Sequence, residues 1–469
     1  MAESNVGLSH NTVGLWRTVF QGVSASAPAG AIAGFITSAS IYAGGSLPLS
    51  FLIAFFVVLS SCVAIYQYSK KISHSGGFYA YVSRSAGPFA GVMTGMMQLG
   101  YHILTLAALP LYFSVLVAFT FQYFVGITLP VYIWVVISLG YVLAAAVPPY
   151  LGIKPALNYS VIFGATEIIV LLIVGLSVAI VSGSHNTVSV FTLQYSVTGI
   201  HGVFLGGVFG ITSFLGFSSV VSLGEEAKLP RKTIGKALLI GVVLSGVFLI
   251  VSAYVWTIGW GPASAYSMSN YLVPLTITAN KLVGTAAAVL ITFFFLESFY
   301  NVELSFFTST VRYFYGIARD DLIIPAWFAK VDEKSHVPRR ALILIVILSF
   351  PITLISGLLF GTFNGYVELA VGITVFALTV YIITNLTVGF LFRRLNEFNI
   401  IWHVVLPVIS AALMVYVIYG TIYPFTYPYT YMTIIALIWA IIAAVLTLYI
   451  RKIKPEKYKV AGIYTSVED

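Results

Sequence analysis

One cysteine, Cys62, stands in 469 residues, so no intrachain disulfide can form and a cysteine-ligated metal site has no basis. Charge is equally scarce. Asp, Glu, Lys and Arg together make 8% of the chain, against about 25% in a soluble domain. No metal-ligand spacing and no nucleophile–base pair stands out, so neither an enzyme nor a cofactor or metal is expected. The glycines of GGFYAYVSRSAGP are not followed by G-K-S/T, so nothing points to a phosphate-cradling loop or to ATP use. A cleavable signal peptide is not expected either, because MAESNVGLSHNT is polar and the first apolar run is too long.

What is present is apolar. Hydrophobic residues make 59% of the chain and mean hydropathy is +0.99. Aromatics reach 15%, including 30 Tyr, which suits both interfacial belts and cavity walls. This composition predicts an all-α polytopic membrane protein. A span needs about 20 apolar residues. Windows of that size predict twelve, at 15–43, 46–68, 89–122, 129–147, 156–182, 202–224, 234–259, 279–318, 340–361, 364–392, 399–421 and 428–450.

Basic residues set the orientation. With the N-terminus inside, 22 of the 23 Lys and Arg residues fall on the inner side and only Lys281 falls outside. The expected location is the cell membrane, multi-pass, with both termini cytoplasmic. The net charge of +8 is then a topology signal and gives no reason to expect nucleic acid. Tails are expected at 1–14 and 451–469.

Two spans are built from poor helix formers at mid-depth. Residues 24–34 read SASAPAGAIAG, in which Pro28 lacks a donor and Gly30 and Gly34 lower helix propensity. The sixth span is interrupted by Gly202, Gly206, Gly207, Gly210 and Gly216. Alone, the first could be a kinked helix packed closely through small residues. The pair, five spans apart, points to an inverted-repeat transporter with discontinuous helices 1 and 6. The expected halves are 15–182 and 202–392, with two additional C-terminal helices at 399–450. Interrupted helices expose amide ends that favour a carboxylate and carbonyl ends that favour an ammonium.

Four segments then carry a family resemblance. FLGFSSVVSLGEEAKLPRKTIGKA (214–237) resembles the sixth-helix signature of the amino acid–polyamine–organocation superfamily. GGFYAYVSRSAGPFAG (76–91) resembles its loop between helices 2 and 3, GIKPALN (152–158) the start of helix 5, and STVRYFYGIARDDLIIPAWFAKV (309–331) the end of helix 8. The resemblance covers about residues 13–450 and implies the leucine-transporter fold of five plus five inverted helices with two more appended. It departs from the pattern where many members carry G-S-G-I/V and this chain reads Ala29-Gly30-Ala31-Ile32. It departs again at Ser218, where many relatives have Asp or Glu, and at Asp320-Asp321, where D-G is usual.

Carried over by position, the amides near Ala29, Gly30 and Ala31 would hold a substrate carboxylate. The carbonyls of Ala27, Thr212, Ser213 and Leu215 would face its amino group, and Phe214 or Phe217 would close over it. Ser26, Gly216 and Ser218 flank these positions. Gln98, Tyr101 and His102 form a polar patch in the third span that could line the pocket or serve as an interhelical hydrogen bond. The implied function is alternating-access transport of a neutral, apolar amino acid. The alternative is exchange of a cationic amino acid or polyamine, and a sensor or channel is a third reading, disfavoured because no loop or tail is long enough for an output domain.

Four acids fall inside spans: Glu167, Glu297, Glu303 and Glu368. Such groups are costly there, about 2.5–3.5 kcal/mol on insertion scales, and usually functional. Glu167 lies where proton-coupled relatives often carry a lysine facing the helix-1 break, which makes it the candidate proton carrier. Glu297 and Glu303 are six residues, about 600°, apart and should face different sides. Glu368 is expected near water. Ser305, Thr308, Ser309 and Thr310 could serve sodium, so protons are favoured and sodium is kept open. Glu225, Glu226, Lys228 and Arg231 at the inner end of the sixth span are the expected inner gate. The expected partners are an amino acid or amine, protons and the lipid bilayer, in a monomer or homodimer. The stretch at 76–88 should form a short amphipathic helix along the inner face.

Overall fold

The computed structural model describes residues 7–423, 425 and 430–463. The ends of the expected tails, and residues 428 and 429 of the twelfth expected span, lie outside the described residues. The first apolar segment divides into α1 (Leu15–Ala25), α2 (Pro28–Ala31) and α3 (Thr37–Ala43), a π turn at Ile32–Ile36 joining the last two. After a 3-10 turn at Gly44–Ser46 come α4 (Leu47–Ser69), α5 (Phe78–Ala86), α6 (Pro88–Thr120), α7 (Ile133–Leu151) and α8 (Ile153–Val181). α9 (Ile200–Thr212) leads into a 3-10 segment at Phe217–Leu223, then α10 (Pro230–Trp260), α11 (Pro274–Leu282) and α12 (Thr285–Ala318). The chain closes with α13 (Arg339–Phe360), α14 (Thr362–Arg394), α15 (Leu406–Ile422), α16 (Thr430–Ile453) and α17 (Pro455–Lys459). Among the described residues, extended pairing is limited to the single parallel bridge between Val13 and Ala227.

Among the described residues, eleven helical stretches are long and apolar enough to cross a membrane. The first, Leu15–Ser69, is 55 residues and contains both of the first two expected spans. That is more than twice the about 20 residues one crossing needs. Gly44, at φ 55°, interrupts it between α3 and α4. Large apolar side chains such as Leu358 and Ile441 are exposed on the outside of the bundle. A lipid-facing helix needs that surface, because hydrocarbon does not drive apolar groups inward.

α12 is the central post: it packs against α1, α2, α6, α7 and α8. Its start corrects the eighth expected span, drawn from 279. Gly284 sits at φ 121°, which L-residues avoid, and it separates α11 from α12. The short helix expected near 76–88 forms as α5, but it is no surface amphipath. Phe78 through Ser83 are buried, because α5 packs against α6 and α14. The Tyr79 hydroxyl donates to Asp320 at 2.6 Å. Asp320 also accepts from the Gly462 amide at 2.7 Å, which docks the C-terminal segment on the same end. There Lys457 reaches Asp321 at 2.7 Å and holds that carboxyl down to about 2.

Candidate binding site between two broken helices

The first break has a local cause. A residue before proline is pushed out of the helical region, and proline itself is tolerated at the first position of a new helix. Ala27, before Pro28, lies at φ 46° and ψ 70°. The carbonyl end of α1 is closed by Ser26, whose hydroxyl donates to Val23 O at 2.8 Å and Gly22 O at 3.2 Å. The helix resumes at Pro28 and continues, through the π turn, to Ala43. The second break follows Thr212. Ser213 donates back to Gly210 O, and Gly216 adopts φ 104° before the 3-10 segment begins. The two breaks touch. A Cβ on Gly216 would lie 2.0 Å from Ala25 O, and one on Gly22 would lie 2.9 Å from Val220 and 3.0 Å from Phe217 O.

Between them lies a cavity of about 80 Å³. Its walls include Ser26, Ala27, Gly30, Ala31, Thr212, Ser213, Leu215 and Tyr101 among the residues singled out in the sequence. Three helices supply the other walls, each with one stripe at helical spacing. α6 gives Tyr101, Thr105, Ala108 and Leu109; α12 gives Phe299, Val302 and Phe306; α14 gives Tyr366, Ala370, Ile373 and Thr374. Apart from Tyr101, these were not singled out in the sequence. Their spacing was visible, but a stripe toward a cavity and a stripe toward a neighbouring helix read alike.

The other expected pocket residues point elsewhere. Phe214 stacks on Phe55 of α4 with ring centres 6.5 Å apart, and Phe217 meets Tyr381 of α14 at 5.3 Å. Neither therefore closes over the cavity. Gly216 is occupied by its contact with Ala25 O. Ser218 bonds the Tyr381 hydroxyl at 2.8 Å. His102 joins α6 to α12 through Thr310 at 2.8 Å, its ring stacked on Tyr313, and Gln98 reaches His102 at 3.5 Å. The interhelical alternative for His102 is what this geometry displays.

The amides at the second half of the first helix are already paired within the chain. The Ala29 amide donates to Glu167 Oε1 at 2.5 Å and the Gly30 amide to the Ser298 hydroxyl at 3.2 Å. Ser298 in turn donates to the same Glu167 oxygen at 2.9 Å. The Ala31 amide bonds Ala27 O at 2.7 Å. Ala29 accordingly turns toward α8 and away from the cavity. Hydrogen-bond acceptors suit such a helix start, and here the buried Glu167 carboxyl provides one.

The remaining acids divide by face. Glu297 lies beside Glu167 and Tyr159, whereas Glu303 is fully buried on another side of α12, near Tyr141. Neither lines the cavity. Glu368 is not near water. It is buried, and it accepts from the Met432 amide at 2.6 Å at the start of α16.

Glu225 and Glu226, the acids of the expected inner gate, form ion pairs, but with other partners than expected. Glu225 takes both guanidinium nitrogens of Arg319, at 2.9 and 3.0 Å. Glu226 bonds Arg312 at 2.8 Å with both side chains buried. Ser9 donates to Glu226 at 3.1 Å, and the amides of Thr12 and Val13 donate to Glu226 O at 3.0 Å. Lys228 and Arg231 are exposed; Lys228 takes part through its backbone, its amide donating to Val13 O and its carbonyl accepting from the Thr233 hydroxyl. Helical proximity suggested Lys228 and Arg231, but the cations that reach inward come from the end of α12.

Comparison with known proteins adds three kinds of relative. The family model described as amino acid permease matches residues 18–460. The branched-chain amino acid permease BcaP of Lactococcus lactis is 24% identical over 71% of this chain and 75% of its own length. A methylthioribose transporter of Bacillus subtilis is 24% identical over 82% of each chain. The low-affinity putrescine importer PlaP of Escherichia coli is 20% identical, covering 64% of this chain and 65% of that protein.

Proposed function

Because the chain belongs to the amino acid permease family, a family of membrane transporters, we propose that it is a secondary transporter working by alternating access on a small neutral amino acid. The observation that carries this reading is the cavity between the two breaks. It is lined by alanine, glycine, hydroxyl and aromatic groups, with no charged side chain among the described lining residues. A ligand with an uncharged side chain fits such walls, because a charge buried without a partner is costly. The relative named for branched-chain amino acids agrees with this choice. A cationic amino acid or polyamine, the substrates that other relatives are named for, would bring a second ammonium, for which the described wall holds no acid.

In this reading the chain crosses twelve times, the 55-residue stretch counting as two crossings. Both termini lie in the cytoplasm, and the broken helices belong to two inverted five-helix halves. The first and sixth broken helices move against a scaffold that includes α8 and α12. The ion pairs of Glu225 and Glu226 form the inner gate and part when the site opens inward. Glu167, joined to the Ala29 amide, is the coupling group: protonation would weaken its hold on the moving helix.

Uptake into proteoliposomes tests this. Alanine, valine or leucine should accumulate under an inward proton gradient, and Glu167→Gln should leave binding intact while abolishing gradient-driven accumulation. Accumulation by Glu167→Gln equal to wild type would remove Glu167 from the mechanism. Dependence on sodium in place of pH would replace the coupling ion.

A further inference from the structure

The hydrogen-bonding inventory of the cavity is one-sided. Five of the described lining residues carry aliphatic hydroxyls, and each gives its hydrogen to its own helix. Ser26 donates to Val23 O, Thr105 to Tyr101 O at 2.8 Å, and Thr212 to Val208 O at 2.8 Å. Ser213 donates to Gly210 O at 2.6 Å and Thr374 to Ala370 O at 2.9 Å. A hydroxyl has one hydrogen to give, so toward the cavity these five offer only lone pairs. The two helix ends that meet there, at Ala25 and Thr212, are carbonyl ends and carry the negative pole of each helix. The opposite, amide end at Pro28 has no free donor. Proline lacks one, and Ala29, Gly30 and Ala31 are bonded to Glu167, Ser298 and Ala27. Two phenols remain as donors, Tyr101 and Tyr366. The Tyr101 hydroxyl is buried beside the Tyr381 hydroxyl and the Gly216 amide.

We infer that this site recognises its ligand through an ammonium group and an apolar body, and gives a carboxylate no dedicated contact. An ammonium carries three donors and no acceptor, which complements hydroxyl lone pairs and helix carbonyl ends. A carboxylate offers acceptors only. It would face acceptors and two negative helix poles, with one or two phenols to set against them. The internal carboxyl of Glu167 stands where a ligand carboxylate would otherwise find amides. Primary amines and the amino acids from which they derive by loss of carbon dioxide should therefore be equivalent ligands. This rests on the reading of the cavity as the substrate site.

Matched pairs test it on the unmodified protein. Affinities of alanine and ethylamine, valine and isobutylamine, and leucine and isopentylamine are measured by thermal shift at one pH, with isovalerate as the carboxylate lacking an amino group. The expected result is that each amine binds within about threefold of its amino acid, or more tightly, and that isovalerate does not compete. An amine weaker than its amino acid by more than this, or competition by isovalerate, would overturn the inference while leaving the site reading intact. If no member of any pair binds, the cavity is not the substrate site and both readings fail.

Discussion

Gly216→Ala should be the most damaging single-methyl change in the molecule. The backbone there is at φ 104°, and a non-glycine residue held in a sparsely populated region costs about 1–3 kcal/mol. The added Cβ would also lie 2.0 Å from Ala25 O. That neighbour is backbone, so no side chain can swing aside. To relieve the contact, one broken helix must move away from the other, and the cavity would be lost with it. The expected outcome is a sharply lowered melting temperature and no ligand-induced stabilisation. Gly126→Ala separates the two causes: φ is 73° there and nothing lies within 4 Å of the added carbon. It should show the backbone penalty alone. A Gly216→Ala protein that melts with Gly126→Ala and still binds ligand would mean that the two breaks do not touch.

Arg312→Gln should come second. The Arg312–Glu226 pair, at 2.8 Å, is buried on both sides, and Arg312 also reaches Thr308 O at 3.2 Å. Removing one member of a buried pair leaves the other charge without a partner, typically about 3–5 kcal/mol. Glu226 would keep Ser9 and gain nothing else from the change. The double variant Arg312→Met with Glu226→Gln removes both charges, so it should recover much of the lost stability. Thermal melts of the two singles and the double form a cycle that isolates the pairwise term. In transport, the double variant should leak or open inward more readily. Singles as stable as wild type would exclude a desolvated Arg312–Glu226 pair.

How far the sequence anticipated this depends on the range of each interaction. Pro28 and Gly216 mark the breaks because proline and glycine act on their own backbone. Gly284 could have placed the start of α12 by the same logic, but the apolar run across it hid the turn. The partners of Glu225 and Glu226 lay beyond such reasoning. Glu226 meets Arg312 and Glu225 meets Arg319 across 86 and 94 positions of chain, whereas local inspection offered Lys228 and Arg231 close by. Phe214 and Phe217 were candidates by type and place, yet residue type does not say which side of a short 3-10 segment faces α4, α14 or the cavity. The family resemblance, not a local pattern, placed Glu167 near the first break. That it would fill the amide end of that break depends on the depth of α8 against α2, which no local pattern encodes.

The central claim is that the ligand sits between the two broken helices, and cysteine protection tests it most directly. The only native cysteine, Cys62, is buried, so unmodified protein supplies the background. Single cysteines are placed at Ala31 and at Thr212, one from each break and both in the cavity wall. Alkylation is followed with and without a saturating ligand identified by thermal shift. The account expects ligand to slow modification several-fold at both positions and to leave a cysteine at exposed Ile441 unaffected. Equal rates at Ala31 and Thr212, with the ligand demonstrably bound, would contradict it.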